Sequence, residues 1–175
     1  MKPIIPFEPI AAAEIPLSGD WVFQVKWDGV RILVYKSISG TEVINRHLNN
    51  RTIQYPELLD TESYSKADSF ILDGEVIALV DGKPSFHEVM KRDRLRGGAE
   101  IEIKKKEIPI IYMVFDCLYM NGVSMMDKPL YERQKMLRSI VKETEHIRLT
   151  ENFEEGEGLL HAVKEQGLEG ILCKD

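Results

Sequence analysis

The run at residues 108–118, IPIIYMVFDCL, is the most apolar stretch of the chain and sets the first limit on its fold. It is far shorter than the roughly 20 residues a membrane-crossing helix needs, and its content favours a buried strand. Residues 69–80 form a second apolar run around Asp73-Gly74, and Asp81-Gly82 follows as a turn signal, a pattern of antiparallel strands. Residues 21–25, 30–35 and 41–46 read as further strands, the last entered through a Ser39-Gly40 turn. The spacing predicts helices over 86–95 behind a Ser85 cap, from Pro129 with Leu130, Leu137, Ile140 and Val141 on one face, and over 154–166 with Leu159, Leu160 and Val163. Pro56 opens a helical turn before Glu57, Leu58 and Leu59, Gly167 ends the last helix, and residues 171–173 give a final short strand. Helices inserted among strands, rather than alternating with them, make this an α+β domain of mainly antiparallel sheets flanked by helices.

A chain of 175 residues suffices for one domain that folds without disulfide or metal. Cys117 and Cys173 lie in apolar runs with no CxxC or Cys/His spacing, so free buried thiols in a reducing cytoplasm are expected. The proline-broken start, MKPIIPFEPI, has no signal-peptide core, and no membrane association is expected. A net charge of −6 opposes a uniformly basic nucleic-acid binder. Residues 91–106 run the other way, with seven basic side chains (Lys91, Arg92, Arg94, Arg96, Lys104, Lys105, Lys106) against three acidic ones. That patch reads either as a solvated face or as a phosphate-binding one, on a mobile surface loop through Gly97-Gly98. The four histidines have no metal-binding spacing, and the chain lacks a Walker loop, a dinucleotide fingerprint and a G-x-S-x-G elbow.

Lys26 stands between an apolar run and Asp28-Gly29, with Arg31 beyond, in WVFQVKWDGVR. By itself this is a strand lysine beside a hairpin dipeptide. Three further motifs follow it in order. They are D-G-E at 73–75, F-D-x-L-Y-x-N-G at 115–122 and E-G-x-x-x-K at 169–174. Residues 86–92 resemble F-x-x-L-Q-x-R, with Met90 where glutamine is usual, and Pro129, Leu130, Glu132 and Arg133 resemble P-L-x-E-R. This ordered set resembles the adenylation (nucleotidyltransferase) domain of ATP-dependent DNA ligases of the small bacterial or phage type.

The resemblance implies a nucleotidyltransferase, ATP-grasp-like architecture and a covalent lysyl-AMP formed on Lys26 from ATP. AMP would pass to the 5′-phosphate of nicked double-stranded DNA before sealing by the 3′-hydroxyl. An amine attacks only when deprotonated, and Arg31, Arg46 and a magnesium ion would supply the charge that favours this. The resemblance gives the ATP site as Gln24, Val25, Lys26, Arg31, Arg46, Glu75, Phe115 and Lys174. Phe115 would stack on adenine, and Lys174 would face the α-phosphate. Glu75 and Glu169 would serve Mg2+, or Mn2+ in its place, and Arg31, Arg46, Lys91, Arg92, Arg94 and Arg96 would meet DNA. Two substitutions depart from the family pattern: Gln24 stands where glutamate is common beside the base, and His47-Leu48 replaces Asn-Gly after Arg46. Residues 1–175 are expected to be a monomeric adenylation domain, with its last lysine motif and an oligonucleotide-binding barrel further downstream. An RNA ligase, an mRNA-capping guanylyltransferase and a non-catalytic nucleotide- or nucleic-acid-binding module are the alternatives.

Overall fold

The computed structural model describes residues 1–16 and 19–175. Its main sheet has strands in the order β3 (Gly40–Asn45), β2 (Val30–Ser37), β4 (Phe70–Val80), β6 (Ile110–Met120) and β7 (Val123–Ser124), all antiparallel. The short β5 (Lys83–Pro84) pairs with β4, and β8 (Ile147–Leu149) runs parallel to β6. A separate two-stranded ribbon joins β1 (Val22–Lys26) to β9 (Gly170–Lys174), antiparallel. Four α-helices, α1 (Phe86–Asp93), α2 (Gly98–Glu107), α3 (Leu130–Ile140) and α4 (Gly156–Glu165), and two 3-10 turns, Pro56–Leu58 and Thr61–Ser63, complete the described residues. None is long and apolar enough to cross a membrane. The expected α+β class is the one observed.

Strand alternation divides the main sheet into two unlike faces. Ile32 and Val34 of β2, Leu72 and Val76 of β4 and Tyr112 and Val114 of β6 point into the principal core, where Val89 of α1 and Leu137 and Ile140 of α3 join them. The Tyr112 hydroxyl crosses that core to lie 3.0 Å from the carbonyls of both Ile32 and Leu72. The other face carries Arg31, Asp73, Glu75 and Phe115. The β1–β9 ribbon buries Phe23 against Leu159 and Val163 of α4 in a core of its own. Backbone bonds between Phe23 and Phe153, at 2.9 and 2.8 Å, lay the chain after β8 along β1.

Three local expectations are corrected. Asp28-Gly29 makes no hairpin, because β1 and β2 pair with different partners. Glycine is required there by close approach: a Cβ on Gly29 would stand 2.2 Å from the Val76 carbonyl oxygen. Asp73-Gly74 likewise lies inside the single strand β4, at an irregularity in its pairing with β6, where a Cβ on Gly74 would meet the Met113 carbonyl oxygen at 2.6 Å. Asp81-Gly82 and Asn121-Gly122 are true turns, with positive φ at all four residues.

The third correction concerns the basic stretch. From Gly98 it is helix α2, held by Ile101, which is buried, and by ion pairs one turn apart between Lys104 and Glu107 and between Lys105 and Glu102. The Lys-rich surface hid one buried anchor. Leu95 and Val141 fall just outside α1 and α3, and Cys117 is buried whereas Cys173 is half-buried.

Candidate active site

The β1–β9 register pairs Lys26 with Gly170 and so sets Lys26 beside Glu169, 143 positions away in sequence. The Lys26 amine donates to Glu169 Oε1, and both side chains stay over a third exposed, at 36% and 41%. On the facing sheet Arg31 and Glu75 are cross-strand neighbours. Arg31 grips Asp73 with two parallel bonds, Nε to Oδ1 at 3.0 Å and Nη2 to Oδ2 at 2.7 Å. Its guanidinium carbon lies 5.4 Å from the centre of the Phe115 ring, and the Lys174 amine lies 4.2 Å from the same point.

Lys26, Arg31, Glu75, Phe115 and Glu169 border one cavity of about 500 Å³. Gln24, Val25 and Lys26 line it from β1, Arg31 from β2, Glu75 from β4, Phe115 from β6, and Glu169 and Leu172 from the far strand of the ribbon. Arg46 joins from the end of β3, half-exposed and 3.5 Å from Glu8. The N-terminal segment lies across this side: Arg31 Nη1 donates to the Phe7 carbonyl, and the Ile4 amide donates to the Tyr35 hydroxyl at 2.9 Å. Lys174 lies outside the cavity lining and packs on the Phe115 ring. The partner of Lys26 is therefore a carboxylate, while Arg31 and Arg46 are engaged with Asp73 and Glu8.

Burial shapes the charges here. It pushes the Glu75 carboxyl up to about 8, with Arg31 and Lys26 opposing and Asp73 and Glu169 adding to the rise. At neutral pH Glu75 thus holds a proton that an arriving cation would displace. Burial also pushes the Lys174 amine down to about 8, against the pull of Asp116 and Asp73. Burial works against the Arg31 charge, but its bonds to Asp73 outweigh that and hold the guanidinium above its ordinary range.

Of the basic residues expected at DNA, Lys91, Arg94 and Arg96 are exposed, outside the cavity. Arg92 is not available. It has no exposed surface, and its Nη1 and Nη2 donate to Glu57 at 2.8 and 3.0 Å and to the carbonyls of Ile108 and Gln54 at 3.0 and 2.7 Å. A guanidinium so enclosed has no free donor face to offer a phosphate.

Several site residues carried no role in the sequence reading. Asp73 and Asp116 face each other across β4 and β6, and each is neutralised by its own arginine, Arg31 and Arg133. Both aspartates and Arg133 stand inside the motifs quoted above, and a buried carboxylate needs a paired cation, so a signal existed. Gln134 of α3 and Asn152 bond to one another, and Asn152 accepts from Gln24; they belong to no motif and gave none.

The family model described as ATP dependent DNA ligase domain matches residues 9–175. A DNA ligase of Thermococcus fumicolans is 33% identical over 186 aligned positions, covering 99% of this chain and 33% of that protein. The SPbeta prophage-derived DNA ligase-like protein LigB of Bacillus subtilis is 35% identical over 158 positions, covering 89% of this chain and 54% of its own. The chain thus spans about a third of the first protein's length and about half of the second's. Among solved structures, a mycobacterial DNA ligase D complexed with ATP and MES superposes with a TM-score of 0.67 at 24% identity, covering 88% of this chain and 48% of that one, a likeness of fold. A match over nearly the whole chain, joined to a cavity built from the motif residues, places this protein in the ATP-dependent DNA ligase domain family.

Proposed function

We propose that this domain forms a covalent lysyl-AMP on Lys26 and that the protein carrying it seals nicks in double-stranded DNA. The observation that supports this reading is the convergence of Lys26, Glu75, Phe115 and Glu169 on one cavity from four separate strands or strand ends. The Lys26 amine attacks the α-phosphorus of ATP, an N–P bond forms, and the bond to the pyrophosphate oxygen breaks. The ammonium proton of Lys26 is lost to water before the attack, and the proton released as the N–P bond forms passes to Glu169, its hydrogen-bond partner. Phe115 offers an aromatic face to the base, while Arg31 and Arg46, which line the cavity, supply positive charge for the phosphates. AMP then moves to the 5′-phosphate of the nick, and the 3′-hydroxyl displaces it. Lys91, Arg94 and Arg96 present an exposed basic rim for the DNA backbone.

Among the described residues no three His, Cys, Asp or Glu side chains converge as a ready-made metal cage. Two carboxylates on one cavity, Glu75 and Glu169, nevertheless suit Mg2+, which keeps waters and phosphate oxygens in its shell, and Mn2+ fits the same donors. When bound, the ion supplies charge neutralisation of the triphosphate.

Incubation with ATP and Mg2+ followed by mass spectrometry tests this directly. One added AMP should map to the peptide containing Lys26, and Lys26→Ala should abolish it. An adduct on another residue, or one that survives in the variant, removes Lys26 as nucleophile. GTP in place of ATP, and nicked RNA in place of DNA, separate this reading from a capping enzyme or an RNA ligase.

A further inference from the structure

Arg51 has no part in the chemistry above, yet it lines the cavity from the same loop as Arg46, after β3. Its Nε lies 3.1 Å from both carboxylate oxygens of Asp93, and its Nη1 donates to the Asn50 carbonyl at 3.3 Å. Asp93 is 6% exposed and also accepts from the buried Tyr55 hydroxyl at 2.9 Å, so the carboxylate that fixes Arg51 is itself fixed from the core. The last nitrogen is different. Arg51 Nη2 has no partner among the described residues and is not sealed from solvent, and the side chain keeps 24% of its surface.

Arg31, by contrast, gives Nε and Nη2 to Asp73 and Nη1 to the Phe7 carbonyl, and Arg46 rests on the exposed Glu8. A guanidinium held by its stem with its tip open is already oriented for an anion, and little side-chain entropy is lost when one binds. The neighbouring surface indicates which anion. Phe86 and Met90 border both this cavity and a second groove, of about 420 Å³, whose wall carries Lys91, Arg94 and Lys104 and no carboxylate. Lys91 and Lys104 are paired one turn away with Glu88 and Glu107, surface contacts that a phosphate can replace at small cost. Cations that lead along an open groove and over an apolar ridge to a fixed arginine suit a chain of phosphates rather than a single nucleotide.

We propose that Arg51 is a polynucleotide-binding residue: its Nη2 receives one backbone phosphodiester of the nicked duplex where the strand passes from the groove into the cavity, with Asp93 and Tyr55 as the positioning residues behind it. The inference rests on the proposed nick-sealing reading. A contact of this kind carries no base sequence and instead sets the register at which the nick halts beside Lys26.

Fluorescence anisotropy with nicked duplexes, each carrying a neutral methylphosphonate in place of one phosphodiester, locates the contact. The protein is first incubated with ATP and Mg2+, then given EDTA to prevent sealing, and its adduct state is read by mass spectrometry. The native protein should lose about 10-fold in affinity when one particular phosphate near the nick is neutralised. Arg51→Gln should lose about the same on the unmodified duplex and respond by less than about 2-fold to methylphosphonate at that position. Its slope of log Kd against log salt should fall by about 1. Tyr55→Phe, which removes only the hydroxyl behind Asp93, should weaken the response at that position to about 3-fold. Arg51→Lys keeps a charge against Asp93 but lacks the forked tip, and it should reproduce the loss should Arg51→Gln fail to fold, as a melting curve would show. A folded variant that keeps the native phosphate map overturns the proposal, as does a native protein with no sensitive position, or an Arg51→Gln variant that loses affinity for ATP alone. The expected map without an adduct on Lys26 retains this contact and removes the lysyl-AMP reading, and an adduct without the map does the reverse.

Discussion

Arg92 and Arg31 both hold a carboxylate in a two-pronged grip, and the surroundings give them opposite work. Arg92 is enclosed, its donors shared between Glu57 and the carbonyls of Gln54 and Ile108, so it ties α1 to the chain before and after it. Arg31 pairs with Asp73 as tightly, yet its side chain keeps 19% of its surface, lines the cavity and reaches the Phe115 ring. The lesson is that position in a basic run says little about phosphate contact. An arginine serves a ligand only where its fork keeps a face turned toward one.

Substitutions sharpen this contrast. Arg92→Ala strands the Glu57 charge and two carbonyls, and about 3–5 kcal/mol of unfolding free energy should be lost in a denaturant titration. Adenylation measured well below its melting point should remain. Arg31→Ala leaves Asp73 buried and unpaired but opens onto a cavity where water can enter, so roughly 2–3 kcal/mol should go, together with most of the adduct rate. The contrast breaks if Arg31→Ala destabilises the fold more than Arg92→Ala, or if Arg92→Ala alone abolishes adenylation.

Lys174 supplies a test through pH. In the fold its amine titrates at about 8, against 10.5 for an ordinary lysine. Below pH 8 folded and unfolded chains both hold the proton, and the buried charge costs its full amount. Between 8 and 10.5 the unfolded chain binds more protons, so the contribution of this group to stability rises with pH. Relative to Lys174→Met, the native protein should gain about 3 kcal/mol across that window, read from unfolding curves at several pH values. A constant difference would mean that the amine lies in water rather than against Phe115.

The smallest effect should come from Glu8→Gln. The Glu8–Arg46 pair is exposed on both sides, at 64% and 52%, so a shift under about 0.5 kcal/mol is expected from thermal melting. A larger loss would make the N-terminal segment a structural part of the cavity mouth.

Much of the fold was readable because its strands are long and its turns carry glycine. Strands lie at every stretch expected to be extended, although the two expected around Asp73-Gly74 are one, and Ser85 caps α1 as expected, its hydroxyl accepting from the Glu88 amide. The motifs named the reactive part of the cavity lining, since each fixes a short backbone geometry around a reactive side chain, while Glu8, Asn49, Arg51 and Asp93 join the lining from outside them. The Asp-Gly dipeptides show where such reading stops. At 81–82 local backbone conformation decides the turn, whereas at 28–29 and 73–74 the same two residues answer to a neighbouring strand that no local pattern mentions. Helix α2 was missed because one buried isoleucine is too little apolar signal against so many lysines. Arg92 was misassigned because charge patterning carries no measure of enclosure.

The sequence alone determined the strand-rich α+β class and the identity of the nucleophile candidate and its accompanying motifs, because alternation, turn chemistry and motif spacing are properties of neighbours along the chain. Only the tertiary structure decided that Lys26 meets Glu169, that Asp73 and Asp116 each require their own arginine, and that three amides connect Phe115 to Gln24. Those contacts join residues from 17 to 143 positions apart. They arise where sheet register and helix packing bring side chains together, and burial then forces each polar group to find its partner.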